Sequence, residues 1–370
     1  MDATTDPDRR RVLRARPTTA LLVVIAVLGS LLSGIVPTLV GASPPTAAAT
    51  ATSGSWTIER VSVGAGGVEA DGPSDSPVIS DDGSSIVFRT DATNLVPGTT
   101  SSAIVRRDLA TGATERVSVE TNGAALSLPR DPAVDADGSR IAMTYTSGGE
   151  RAIAVRDRAS GTTDRNVGNG IGSQTPAIPD EGDRVAFVQG DVNPSDNDRR
   201  TQVWLHDERP LAPGEQRLVQ VSGLTGLDDQ ASQPTLSADG DTLAYLARIG
   251  GVFGTRVQDI SARPFHAPEW YPGATSPSLS EDGRYLAALR FVDGAPSVVR
   301  HDRLTGADVT MARLPDNGSQ VRLSRDGTVV AYTVTYRDDA DEYRTEIRVS
   351  SLVSGRTETV ATVTVQVPVE

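Results

Sequence analysis

Beyond about residue 56 the chain alternates short apolar runs with polar turns, and the pattern repeats. Six segments align: Pro77-Val-Ile-Ser-Asp-Asp-Gly83, Pro132-Ala-Val-Asp-Ala-Asp-Gly138, Pro176-Ala-Ile-Pro-Asp-Glu-Gly182, Pro234-Thr-Leu-Ser-Ala-Asp-Gly240, Pro277-Ser-Leu-Ser-Glu-Asp-Gly283 and Val321-Arg-Leu-Ser-Arg-Asp-Gly327. Their glycines are spaced 55, 44, 58, 43 and 44 residues apart, and 43 residues follow Gly327. A second apolar strand leaves each glycine, as in Ile86-Val-Phe88 and Leu243-Ala-Tyr245. Asp-Gly between two alternating runs marks a hairpin, because glycine accepts positive φ and aspartate bonds backbone amides two residues on. The turn set is therefore Asp82-Gly83, Asp137-Gly138, Gly182, Asp239-Gly240, Asp282-Gly283 and Asp326-Gly327. Glu181 replaces the aspartate in the third, which predicts a weaker hairpin.

A third strand ends at Asp108, Asp157, Asp207 and Asp302, and a fourth leaves the next turn. The fourth unit is the poorest, with Pro264 and Pro268 predicting a loop or a damaged edge strand. Four strands per unit, six units and no helical period predict an all-β, six-bladed β-propeller of four-stranded antiparallel blades over residues 56–370. A seventh blade is disfavoured, since the long intervals exceed the short ones by only about 11–15 residues. Trp56-Thr-Ile-Glu-Arg-Val-Ser-Val63 repeats the Glu-Arg-Val-Ser-Val of 115–119 and reads as a fourth-type strand that completes the last blade. Unit six also supplies its own fourth strand, Arg356 to Thr362, and alternation resumes from Val363, so one strand is surplus.

Residues 1–50 follow a different pattern. Arg9, Arg10, Arg11, Arg14 and Arg16 precede an apolar run from Thr19 to Val40, and small residues and prolines follow. That order predicts an apolar export helix, either a cleaved signal peptide or a membrane anchor. Asp8-Arg-Arg-Arg-Val-Leu-Arg14 also resembles a twin-arginine export signal. A secreted or extracytoplasmic address is expected in either case, and it agrees with the absence of cysteine.

Composition narrows the chemistry. Without cysteine there is no disulfide scaffold, thiolate metal site or cysteine nucleophile. All 35 basic residues are arginine, which excludes Schiff-base chemistry and a P-loop lysine. The net charge is −13, and because residues 1–50 carry five Arg against three Asp, the remainder stands at −15. Nucleic acid is not expected as a partner, nor an anionic membrane surface apart from the N-terminal segment.

The repeated Pro-x-x-Ser-x-Asp-Gly followed by an apolar strand resembles the TolB-like, WD40-like (PD40) propeller repeat, over nearly the whole of 56–365. The first unit, with Ala92-Thr-Asn-Leu-Val-Pro-Gly98, looks like the extracytoplasmic bacterial form. The resemblance implies protein–protein contact, and the broad face and central channel of a propeller suit a non-catalytic binding or scaffold module, expected as a monomer, that engages a protein or glycan in the cell envelope or outside the cell. The alternative is a polysaccharide-active glycosidase or lyase with its site at the central channel.

Enzyme signatures are missing: there is no Gly-x-Ser-x-Gly, no Asp box and no paired-histidine metal motif, so no catalytic residue and no enzyme are expected. His206 and His301 share one repeat position, which accounts for them structurally. Asp191, Asn193 and Ser195 keep the one-three-five rhythm of a calcium loop, but Asp196 stands at position six and Gln202 at twelve. The rhythm is broken, and a solvated hairpin tip is expected there, as at 338–342; no cofactor is expected. Trp204 follows third-strand periodicity and is expected between blades. Trp270 and Tyr271 sit in the irregular stretch and form the candidate ligand face.

Overall fold

A computed structural model describes residues 59–168, 172–192, 199–226, 229–316, 318–337 and 343–365. The export segment 1–50, Trp56, Asn193 and Ser195 lie outside them. Among the described residues no helix is long and apolar enough to cross a membrane, and the helical content is one 3-10 turn, Ala65–Gly67.

Six four-stranded antiparallel sheets follow one another, each with its strands in chain order. Blade 1 is built from Ser74–Ile79, Ser85–Thr90, Ala103–Asp108 and Thr114–Arg116. Blades 2 to 6 begin with the strands Ser127–Val134, Gln174–Ala177, Gln230–Leu236, Thr275–Leu279 and Gly318–Leu323. These first strands neighbour one another from blade 1 to blade 6 and surround the axis. Second and third strands carry the burial: Ser85–Thr90 is buried at five of its six positions, whereas Ser74–Ile79 is half-buried throughout.

The core therefore lies between blades. Val87 and Ile104 of blade 1 pack with Ile141, Met143 and Tyr145 of blade 2. Val185 and Phe187 of blade 3 pack on Ala142, Ile153 and Val155 of blade 2, with Trp204 against the same cluster. Comparable clusters join blades 3 and 4, 4 and 5, and 5 and 6. A single blade would leave both apolar faces wet; stacking buries them.

The Asp-Gly corners form as the residues dictate. In blade 1 the Ser80 hydroxyl donates to Asp82 Oδ1 at 2.7 Å, the Ser84 amide donates to the same oxygen at 2.8 Å, and Ser85 N donates to Ser80 Oγ at 3.0 Å. Blades 4, 5 and 6 repeat this through Ser237 and Asp239, Ser280 and Asp282, and Ser324 and Asp326. In blade 3, Pro179 and Glu181 offer no such pair, and the corner keeps the backbone bond from Gly182 N to Pro179 O at 3.0 Å.

Each leading proline stands inside the first strand, not at its start. The residue before it adopts positive φ in every blade: Ser76 (48°), Asp131 (49°), Thr175 (50°), Gln233 (50°) and Ser276 (53°), with Gln320 (50°) before Val321. The pairing register slips by one residue at each of these points, a β-bulge. A bulge leaves one N–H out of the ladder, so proline costs nothing there. Left-handed backbone at a non-glycine residue costs on the order of 1 kcal/mol, and the flanking ladders hold it in place.

The surplus strand resolves against the ring-closing reading. Blade 6 is completed by its own Arg356–Val365, kept in register with Tyr343–Ser351 over its whole length by a bulge between Ile347 and Arg348. The described part of the N-terminal repeat copies a linker instead. Val63 bridges Glu69 as Val119 bridges Ala125, and Val61 is buried with Ile86, Phe88, Ala92 and Leu95 on the face of blade 1 turned away from blade 2. The long intervals do not hold a seventh blade: extra chain lies between Thr90 and Ala103 in blade 1, and in blade 3 it is shared between the hairpin Arg184 to Asp207 and the stretch from Asp207 to Leu218. In blade 4 a proline-bearing loop precedes the fourth strand, Glu269–Pro272, which at four residues is no shorter than the three-residue fourth strands of blades 1 to 3.

The corner glycines differ in what surrounds them. A Cβ on Gly283 (φ 65°) would lie 2.2 Å from Thr242 Oγ1 and 2.5 Å from Thr242 Cβ of blade 4, whereas one on Gly306 (φ 73°) meets open space. Gly283→Ala is expected to lower stability by about 2–4 kcal/mol and Gly306→Ala by about 1 kcal/mol. Urea denaturation of both variants checks the ranking; equal losses would contradict the interlocked corner.

Candidate functional site

The corner residue between serine and aspartate points the blades at one another. Its column reads Asp81, Ala136, Asp180, Ala238, Glu281 and Arg325. Backbone bonds link the corners in order: Asp82 N to Ala136 O (2.9 Å), Ala136 N to Asp180 O (3.3 Å), Asp180 N to Ala238 O (2.9 Å), Asp239 N to Glu281 O (3.2 Å) and Glu281 N to Arg325 O (2.9 Å). The corners thus form a collar around the end of the channel where the first strands finish.

Arg325 occupies the centre of that collar. Its guanidinium bonds Asp81 of blade 1, Asp180 of blade 3 and Glu281 of blade 5, the last at 3.1 Å. Blades 3 and 6 stand opposite each other in a ring of six, so a blade 6 side chain that reaches Asp180 must cross the axis. Among the described residues, the Arg325–Asp81 pair is the one ion pair joining blade 6 to blade 1.

The mouth is short of positive charge. One guanidinium serves three carboxylates, with Glu181, Asp135 and Asp239 close by. Burial and the charges of Glu281, Glu181, Asp135 and Asp239 raise the Asp180 carboxyl to about 6, and the Arg325 contact does not offset them. Asp135 is 4% exposed, and burial raises its carboxyl as well. Its Oδ2 accepts from the Ser139 hydroxyl (2.7 Å) and Arg140 N (2.9 Å), while Oδ1 is buried without a partner. Desolvation lowers the Arg325 guanidinium from its ordinary value.

The residues singled out by sequence lie elsewhere. The turn aspartates bond their own hairpins; Asp137, for example, accepts from Ser139 N at 2.8 Å. Trp270 and Tyr271 pair with Arg256 and Thr255 in the outermost strand of blade 4, half-buried at the rim. Trp270 packs on the cluster between blades 3 and 4, and the Tyr271 ring meets His301 edge-on with centroids 4.9 Å apart. The Tyr271 hydroxyl bonds Glu269, and burial raises its pKa. Asp191 is the penultimate residue of the strand Arg184–Val192, and the rest of the calcium candidate lies outside the described residues. The mouth residues were visible in the six aligned segments as a column rich in charge, but read blade by blade they pass for turn filler.

With the ring and its mouth described, the class is a six-bladed propeller with an acidic axial collar. Solved structures of similar shape include an oligogalacturonate lyase in complex with manganese (13% identity, 76% of this chain and 74% of that chain, TM-score 0.53). A puromycin-hydrolysing peptidase of Mycobacterium tuberculosis (19% identity, 77% and 44%, TM-score 0.52) and TolB of Acinetobacter baumannii (16% identity, 78% and 65%, TM-score 0.49) are also among them. The chain spans 65% of the TolB chain and 44% of the peptidase. No protein-family model matches the chain, and no curated protein matches its sequence. At these identities the likeness shows the fold. It also corrects the expectation that the chain is no enzyme: a lyase and a peptidase share this architecture, so missing local motifs do not decide the matter.

Asp180 provides a test of the collar. A carboxyl raised in the folded state costs stability once ionised, so the wild type should gain about 1 kcal/mol relative to Asp180→Asn as pH falls from 7 to 5. Urea midpoints across that range check it; parallel pH profiles for the two proteins would contradict the crowded-carboxylate reading.

Proposed function

We propose that the chain is an exported propeller that holds a polypeptide partner, presenting a basic segment, at the acidic mouth of its axis. The observation that carries this reading is the Arg325 knot. A guanidinium already sits among carboxylates of blades 1, 3 and 5, and a partner's arginine or lysine would find the same acceptors. The net charge of −13 supports attraction of a cationic segment, and the attraction should weaken with salt. The order basic, apolar, small in residues 1–50 supports work outside the cytoplasm, in the cell envelope or beyond.

One observation favours a second reading. A carboxyl held at about 6 beside a second acid, Glu281, is poised as a general acid for glycan cleavage at the mouth.

Capture from a cell-envelope extract with the chain as bait separates the two. The wild type is expected to retain a protein that Asp180→Asn combined with Glu281→Gln retains at least about 10-fold less, with capture falling as salt rises. Undiminished capture by the double variant would overturn the first reading. Release of new reducing or unsaturated sugar ends from polysaccharide by the wild type, lost in Asp180→Asn, would establish the second.

A further inference from the structure

We propose that Asp164, His206 and Glu208 form a binding site for one zinc-class divalent cation, bridging blades 2 and 3. Each residue offers one ligand atom, and the three atoms lie within 4.8 Å of one another. Atoms so placed can all sit about 2.8 Å from a common centre, so a contraction of about 0.7 Å each reaches zinc bonding distance.

The comparison with His301 shows why this histidine differs from its repeat counterpart. In blade 5, His301 stands across from Asp308, and its Nδ1 is 2.7 Å from Asp308 Oδ1. In blade 3 the cross-strand position is Leu218, whose side chain offers no polar atom. His206 is 8% exposed, and its Nδ1 is buried without a hydrogen-bond partner. A buried ring nitrogen left unpaired costs about 1–3 kcal/mol unless something binds it. The carboxylates beside it come from a different source, Asp164 at the end of blade 2's fourth strand and Glu208 just past the third strand of blade 3.

The surroundings suit a built site. Arg140 of blade 2 donates to Glu208 Oε1 at 2.8 Å and leaves Oε2 for a cation. Asn166 N donates to Asp164 Oδ1 at 2.8 Å and orients that carboxylate in the same way. One imidazole with two carboxylates selects zinc over magnesium or calcium, which prefer all-oxygen shells. A bound ion would staple blade 2 to blade 3 without any thiolate, in a chain that has no cysteine.

Isothermal titration of the metal-stripped full chain with Zn²⁺, under excess Mg²⁺, tests the site. One zinc per chain is expected, with a rise in melting temperature on binding. His206→Gln and Asp164→Asn should each weaken binding about 10-fold or more, while His301→Gln leaves it unchanged. Asp164 is exposed, so its variant carries the test even if His206→Gln does not fold. Failure of the wild type to take up zinc, or wild-type affinity in Asp164→Asn, would overturn the assignment.

Discussion

The ring rests on one repeated bond, in which the amide of one blade's corner donates to the carbonyl of the next. Five such bonds run from Asp82 to Arg325 and set the radius at which the first strands meet. They need a closed corner but not one sequence, since blade 3, whose Pro179-Asp-Glu-Gly182 corner lacks the serine–aspartate pair, still donates from Asp180 N to Ala238 O. Packing between second and third strands then follows, and supplies most of the buried apolar surface. Where that series of backbone bonds ends, at blade 6, the guanidinium of Arg325 reaches Asp81 instead.

Arginine carries the remaining cohesion between blades. Arg140 donates to Gly182 O at 2.7 Å, Arg184 to Asp239 O at 3.3 Å and Arg300 to Gly327 O at 2.9 Å, each reaching from one blade to the next corner. A planar fork with five donors can hold a carbonyl and a carboxylate at once, which an ammonium does less well. Arg140 does so with Gly182 and Glu208, and Arg184 with Asp239 and Asp241. The exclusive use of arginine among the basic residues thus has a structural use at these joints.

The propeller was legible in the chain because its period is long, repeated and tied to a turn with a physical cause. The turn residues were placed by local chemistry that sequence carries in full. What sequence hid was anything set by the ring. The bulge that Pro77 and its counterparts mark was not read from the aligned segments, although proline inside an apolar run is a bulge signal. Arg325, Asp180 and Glu281 look like three unrelated turn residues until the blades are arranged about one axis. His206 and His301 look equivalent in the repeat and diverge only through their cross-strand neighbours, Leu218 and Asp308. The described part of the N-terminal repeat, Glu59 to Val63, misled in the same way, since a shared motif marks a linker as readily as a strand.

The bulges before the leading prolines have one more consequence. They fix the inner strands at a common pitch, while the spacing between corner glycines still varies from 43 to 58 residues. Much of that variation falls away from the axis, in the stretch between Thr90 and Ala103, in the longer hairpin from Arg184 to Asp207 and in the stretch between Asp207 and Leu218. The molecule is a wheel with a standardised hub and a permissive rim: new chain can be spliced into its circumference without retuning the axle.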